Sequence, residues 1–165
     1  MTHPPQGAAW LVWLETTNLA AAMRGWLWLY PIVEIVHIIG FVVLVGAAVM
    51  FDLRLLGISR ALPASLMARH HLPWARAALL LVVPSGFLMF IAHATEFADN
   101  PAFRVKLILL VAAGLNALLF HRGAFRSVTG WDTERAIPLT ARVAAGLSLA
   151  LWIGVIAAGR LLAYL

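Results

Sequence analysis

Residues 28–51, WLYPIVEIVHIIGFVVLVGAAVMF, form an unbroken apolar run whose only formal charge is Glu34 and which carries one histidine, His37. A bilayer needs roughly 20 apolar residues in a helix, so this run is read as membrane-spanning. Placing an ionisable side chain at such depth costs roughly 2.5–3.5 kcal/mol on insertion scales, so His37 is a functional candidate by default.

The rest of the chain repeats the pattern. ALLLVVPSGFLMFIAHATEF (78–97) contains His93, LILLVAAGLNALLFH (107–121) ends on His121, and His70 and His71 open the second run. The 165 residues are 63% hydrophobic and 12% charged, with a mean hydropathy of +0.92. That composition belongs to integral membrane proteins. The predicted fold is all-α: a four-transmembrane-helix bundle with spans near 28–53, 74–96, 103–121 and 138–161. Residues 28–165 make one transmembrane domain, and 1–27 an N-terminal interfacial amphipathic helical segment. Trp10, Trp13, Trp26 and Trp28 suit the headgroup layer, and Glu15-Thr16-Thr17-Asn18 interrupts any fifth span. The start lacks a basic region ahead of its apolar part, so it does not read as a secretory signal.

Cysteine is absent, which excludes disulfides, iron–sulfur clusters and thiolate sites and leaves six histidines and five methionines as soft or borderline ligands. A net charge of +5 does not imply nucleic acid, because the arginines sit in loops beside apolar runs. Arg54, Arg60, Arg69, Arg76, Arg122, Arg126, Arg135 and Arg142 fall at the ends joined by loops one and three, against Arg24, Arg104, Lys106 and Arg160 at the other. Eight against four predicts cytoplasmic loops one and three and both termini on the periplasmic or exterior side.

In that topology His37 and His93 form an outer set, and His70, His71 and His121 an inner set, each on sequence-adjacent antiparallel helices. Facing imidazoles from two helices are what b-type haem requires, which points to one or two haems with bis-histidine ligation, His37 with His93 and His71 with His121. Helical phase favours His71: at ~100° per residue it falls within about 40° of His93, and His70 about 140° away. Gly86 and Gly114 each precede a histidine by seven residues, leaving room for a flat ring on that face. Arg104, Lys106 and Arg160 outside, and Arg69, Arg122, Arg126 and Arg142 inside, are candidate propionate partners. His71 and His93 are 22 positions apart, roughly 33 Å of helix, long for efficient hopping between two haems unless the macrocycles lean toward each other, so one haem and two both stay open.

Other readings compete. Glu34 and His37, facing His93 and Glu96, offer four ligands for non-haem iron, manganese, copper or zinc, or a proton relay. His70 and His71 also suit plain headgroup contact, and His121-Arg122 a helix-end cap. Asp52 and Arg54 read first as an ion pair.

WLYPIVEIVHIIGFVVLVGAAVMFDLRLLG with NPAFRVKLILLVAAGLNALLFH resembles a family of small bacterial inner-membrane proteins of unassigned function. Glu34-x-x-His37-x-x-Gly40 and Asp52-Leu53-Arg54-Leu55-Leu56-Gly57 are its recognisable part. The resemblance implies a four-helix membrane protein. The architecture is also similar to di-haem transmembrane cytochromes b, from which the helix placement of the ligands departs. The leading expectation is therefore an electron-transfer cytochrome b working between a quinone or cytoplasmic-side donor and a periplasmic redox partner. The alternatives are a metal-binding or ion-handling protein, and a structural or assembly subunit. No soluble catalytic domain, nucleotide loop or nucleophile is evident. The expected partners are membrane lipid, quinone, a redox protein and further copies of the chain, not nucleic acid.

Overall fold

The computed structural model describes residues 7–132 and 136–164. Two short helices, α1 (Ala9–Glu15) and α2 (Asn18–Gly25), precede α3 (Leu29–Leu55) and α4 (Ala64–Ala92). A short α5 (Ala94–Asp99) leads into α6 (Pro101–Arg122), a 3₁₀ segment (Ala124–Gly130) and α7 (Leu139–Leu161). Four of these, α3, α4, α6 and α7, are long and apolar enough to cross a bilayer, and the protein is a multi-pass membrane protein. We call the end at which α3 begins the outer end. Arg135, counted above with the inner arginines, lies outside the described residues.

Local chemistry sets the ends of these elements. Asn100 accepts from the N–H groups of Ala102 and Phe103, and Pro101 follows it at the first helical position, so α6 starts abruptly. α4 begins at Ala64, about three turns ahead of the expected 74, because its first turns carry the charged and polar interfacial residues Arg69, His70 and His71. Pro73 and Pro84 lie within α4 without ending it. At its outer end the Arg24 guanidinium donates to the Ala92 carbonyl at 2.8 Å and to the Glu15 carbonyl at 2.8 Å. Glu15 in turn accepts from Thr95 N at 2.7 Å and Thr95 Oγ1 at 2.8 Å, placing a carboxylate at the start of α5. The residue that interrupts the N-terminal apolar run is thus a buried cap. Around it Trp10, Trp13, Trp26 and Trp28 stay exposed, as headgroup-level tryptophans do.

α3 packs along α4, α6 along α7, and α3 against α7, whereas α4 and α6 make no close backbone approach among the described residues. The tightest contact is at Gly40. A Cβ there would meet Val82 Cγ2 at 2.9 Å, Leu81 Cβ at 3.1 Å and the Ala78 carbonyl at 3.4 Å. A small residue lets the two backbones close up, which is how helices gain contact in a bilayer. Gly40→Leu is expected to force α3 and α4 apart at a cost of about 1–3 kcal/mol. Thermal unfolding in detergent measures it; an unchanged midpoint would show that the crossing is loose.

The inner end is closed by an apolar cluster of Leu55, Phe120, Val128, Trp131, Ala141 and Ala145, onto which the 3₁₀ segment folds. Below it Asp132 accepts from Ser65 N at 2.9 Å and Ser65 Oγ at 2.5 Å, capping the first turn of α4 from a distant loop. Burial alone would raise the Asp132 pKa, but the bonds from Ser65, a bond from the Ala64 backbone and the Arg54 charge together hold it below the ordinary carboxylate value. A depressed folded-state pKa contributes stability above the unfolded value, near 4, that is lost as pH falls through the folded value. Asp132→Asn should therefore cost about 1 kcal/mol at neutral pH, as loss of a cap does. The gap from the parent should close as both are titrated below about pH 4. Denaturation midpoints across that range check the sign.

Candidate functional site: an intramembrane cavity lined by three histidines

Because α4 and α6 stand apart, the bundle encloses a cavity of about 740 Å³ between them, backed by α3 and α7. It reaches from Phe103 to His121 on α6, 18 positions or about 27 Å. The volume lies within the roughly 300–1,000 Å³ typical of cofactor and small-ligand sites. Its wall is mainly apolar, and the polar groups that interrupt it fall into two sets.

The inner set is His71 and Arg76 on α4, Asn116 and His121 on α6, and Asp52 and Ser148 on α3 and α7. His71 Nδ1 sits 2.9 Å from the Met67 carbonyl. A carbonyl only accepts, so Nδ1 carries the proton and Nε2 is free, as for a ligating imidazole oriented by its other nitrogen. His70, on the neighbouring face, is exposed. The His121 ring is held edge-on by Phe120 and Phe125, at centroid distances of 5.3 and 5.1 Å. Gly114 also lines the cavity, and a Cβ built on it would meet nothing within 4 Å. Asp52 is 6% exposed and its Oδ2 has no partner among the described residues; the Ser148 hydroxyl lies beside the carboxyl.

The outer set is His37 on α3 and Lys106 on α6. His37 reaches across to α4, where Nδ1 lies 3.1 Å from the Val82 carbonyl and 3.0 Å from Ser85 Oγ. Ser85 Oγ itself donates to the Leu81 carbonyl, so it receives rather than gives at His37. A Cβ on Gly86 would fall 3.0 Å from His37 Cε1, so this glycine makes room for the imidazole rather than for a ring beside His93.

Several expected groupings do not form. His93 is the residue at which α4 ends, beside Tyr30 at 6.2 Å between ring centroids. It is seven residues beyond Gly86, about 10 Å further out than His37, and it does not line the cavity. The α3–α4 register fixed at Gly40 puts His37 opposite Ser85 and Gly86, so His37 and His93 do not face one another. Glu34 and Glu96 are exposed, Glu96 only reaching His93 Nδ1 at 3.5 Å. Among the described residues no three or more His, Asp or Glu side chains converge as a metal site, so Glu34, His37, His93 and Glu96 are not one.

The basic residues are also redistributed. Arg104 turns away to the Ala98 carbonyl and Asp99 at the end of α5, and Arg160 lies over the Tyr164 ring. Arg122 and Arg142 are exposed and off the cavity; the cations that line it are Lys106 outside and Arg76 inside. Arg54 makes no bond to Asp52 and instead binds loop carbonyls. Asp52, Asn116 and Ser148 line the cavity as well, and of the three only Asp52, a lone acid near the end of an apolar run, is signalled by the sequence.

Fold and site define a multi-pass α-helical membrane protein built around a histidine-lined cavity. Residues 10–165 match DUF6644, a family of unknown function, and the chain belongs to that family. No curated protein and no solved structure matches it.

Proposed function

We propose that the protein is an electron-transfer membrane protein that holds one haem b in the inner half of the cavity, with His71 and His121 as its axial ligands. One observation carries the reading: the two imidazoles line one apolar cavity from α4 and α6, the helices that stay apart. Three others fit the group. His71 has its Nδ1 proton committed to a backbone carbonyl, Gly114 opens onto free space, and Arg76 lines the same end, where a propionate would meet a guanidinium. Bound haem would supply one-electron exchange in a site that excludes water. The chain's own part is to orient the two rings, through the Met67 carbonyl and through Phe120 and Phe125, and to keep the slot between α4 and α6 open.

A second haem on His37 and His93 is not part of this proposal, because their side chains stand two turns apart. In a bacterial cytoplasmic membrane the arginine distribution puts the inner end in the cytoplasm. The test is the spectrum of protein purified in detergent from haem-supplied cells, oxidised and dithionite-reduced, with pyridine haemochrome analysis. One low-spin haem b per chain is expected. Protein that folds but retains no haem would overturn the reading.

A further inference from the structure

The outer half of the cavity is chemically distinct from the inner half and no haem ligand pair occupies it. With its imidazole neutral, His37 carries its proton on Nδ1, since that nitrogen faces the Val82 carbonyl. Nδ1 is committed to α4, so Nε2 is the ring nitrogen left to accept, and the His37 side chain lines the cavity. An accepting nitrogen in a mainly apolar wall calls for a donor hydroxyl. Lys106 enters the same space from α6, its ammonium beside Gly159, where an added Cβ would lie 3.7 Å from Nζ. Both side chains line the cavity, from α3 and from α6. One group accepts and the other donates.

The surrounding wall is aromatic. Phe41 and Trp152 meet edge-to-face at 6.1 Å, and Phe90 stacks on Phe103 at 5.4 Å with only 5° between the planes. That stack bridges α4 and α6 at the outer end. Below it the two helices do not pack, and Phe87 and Leu107, both cavity residues, are also exposed on the bundle surface. The gap between α4 and α6 therefore opens sideways, through an apolar face of the bundle.

We propose that this half of the cavity binds the headgroup of a bilayer-borne quinol, one hydroxyl donating to His37 Nε2 and an oxygen accepting from Lys106 Nζ. Planarity matches the aromatic wall, a hydroxyl donor matches the imidazole lone pair, and an apolar tail matches the lateral opening. A fatty acid would satisfy Lys106 but offers His37 no donor once ionised. The choice of a quinol as the aromatic alcohol rests on the electron-transfer reading; the site itself does not. A quinone has no hydroxyl, so the reduced form should bind more tightly.

Titration calorimetry of the purified protein in nanodiscs with decylubiquinol, decylubiquinone and oleate tests this. Saturable one-to-one binding of decylubiquinol is expected, about tenfold tighter than decylubiquinone, as one hydrogen bond of ~1.4 kcal/mol requires. His37→Ala and Lys106→Met should each weaken decylubiquinol binding about tenfold. Helicity and monodispersity establish that each variant is folded, and Lys106→Met decides the matter if His37→Ala is not. His71→Ala, which is expected to lose the haem, should leave decylubiquinol binding intact, so failure of the haem reading and failure of this one give different results. No saturable binding, equal affinity for both redox forms, or oleate binding that depends equally on His37 would overturn the proposal.

Discussion

His71→Ala and His121→Ala will each purify without haem, whereas His70→Ala and His37→Ala will retain it at the level of the parent. The four substitutions remove the same ring from the same bundle, so the contrast depends on where each ring points. His71 and His121 line the inner cavity from the two helices whose backbones stay apart; His70 is exposed and His37 is bonded to α4 in the outer half. On the proposed ligation, losing either imidazole would remove a bond to iron, and the loss of affinity should exceed the roughly 10–100-fold that deleting an outer-shell partner costs. Haem-to-protein ratios after detergent purification measure this. Haem lost from His37→Ala but kept in His121→Ala would move the ligation to the outer half and refute the assignment.

The four spans were readable because each is an apolar run of bilayer length, and hydropathy reports length and depth directly. His71 rather than His70 lines the cavity, but the helical phase that favoured it took His93 as its reference, and His93 ends α4 off the cavity. What could not be read was register. Whether His37 lies opposite His93 or opposite Ser85 depends on how far α3 slides along α4, and that is fixed by the close approach at Gly40. An apolar surface has almost no preference for one register over another, so the sequence pattern carries little of this information. Charged residues at the ends of spans were misplaced for a related reason. Arg104 and Arg160 are near the outer end in sequence, but long side chains settle on the nearest carbonyl, carboxylate or ring. Lys106, one helical turn deeper than Phe103, reaches the cavity instead.

Arg54→Ala is expected to be the most destabilising single substitution at the inner end. Arg54 is 2% exposed, and its guanidinium donates to three carbonyls: Leu62 at 2.5 Å, Asp132 at 2.6 Å and Arg60 at 3.4 Å. Those carbonyls belong to the loop between α3 and α4 and to the segment after the 3₁₀ turn, so one side chain ties both inner connections to α3. Bonds from a charged donor are worth about 1.5–3 kcal/mol each and the longest of the three is weak, so the loss is on the order of 3–5 kcal/mol. At about 2–4 °C per kcal/mol for a chain of this size, the unfolding midpoint should fall by about 10 °C. Arg54→Lys should recover little, because an ammonium cannot place donors along the two directions that a planar guanidinium serves at once. Asp52→Asn separates this account from an Asp52–Arg54 ion pair. If the two were paired, removing the acid would cost about as much as removing the base. Since Arg54 Nε and Nη2 bond carbonyls and no bond runs from its guanidinium to Asp52 among the described residues, Asp52→Asn should leave the midpoint within a few degrees of the parent. Equal losses in the two variants would restore the ion pair and break the clamp.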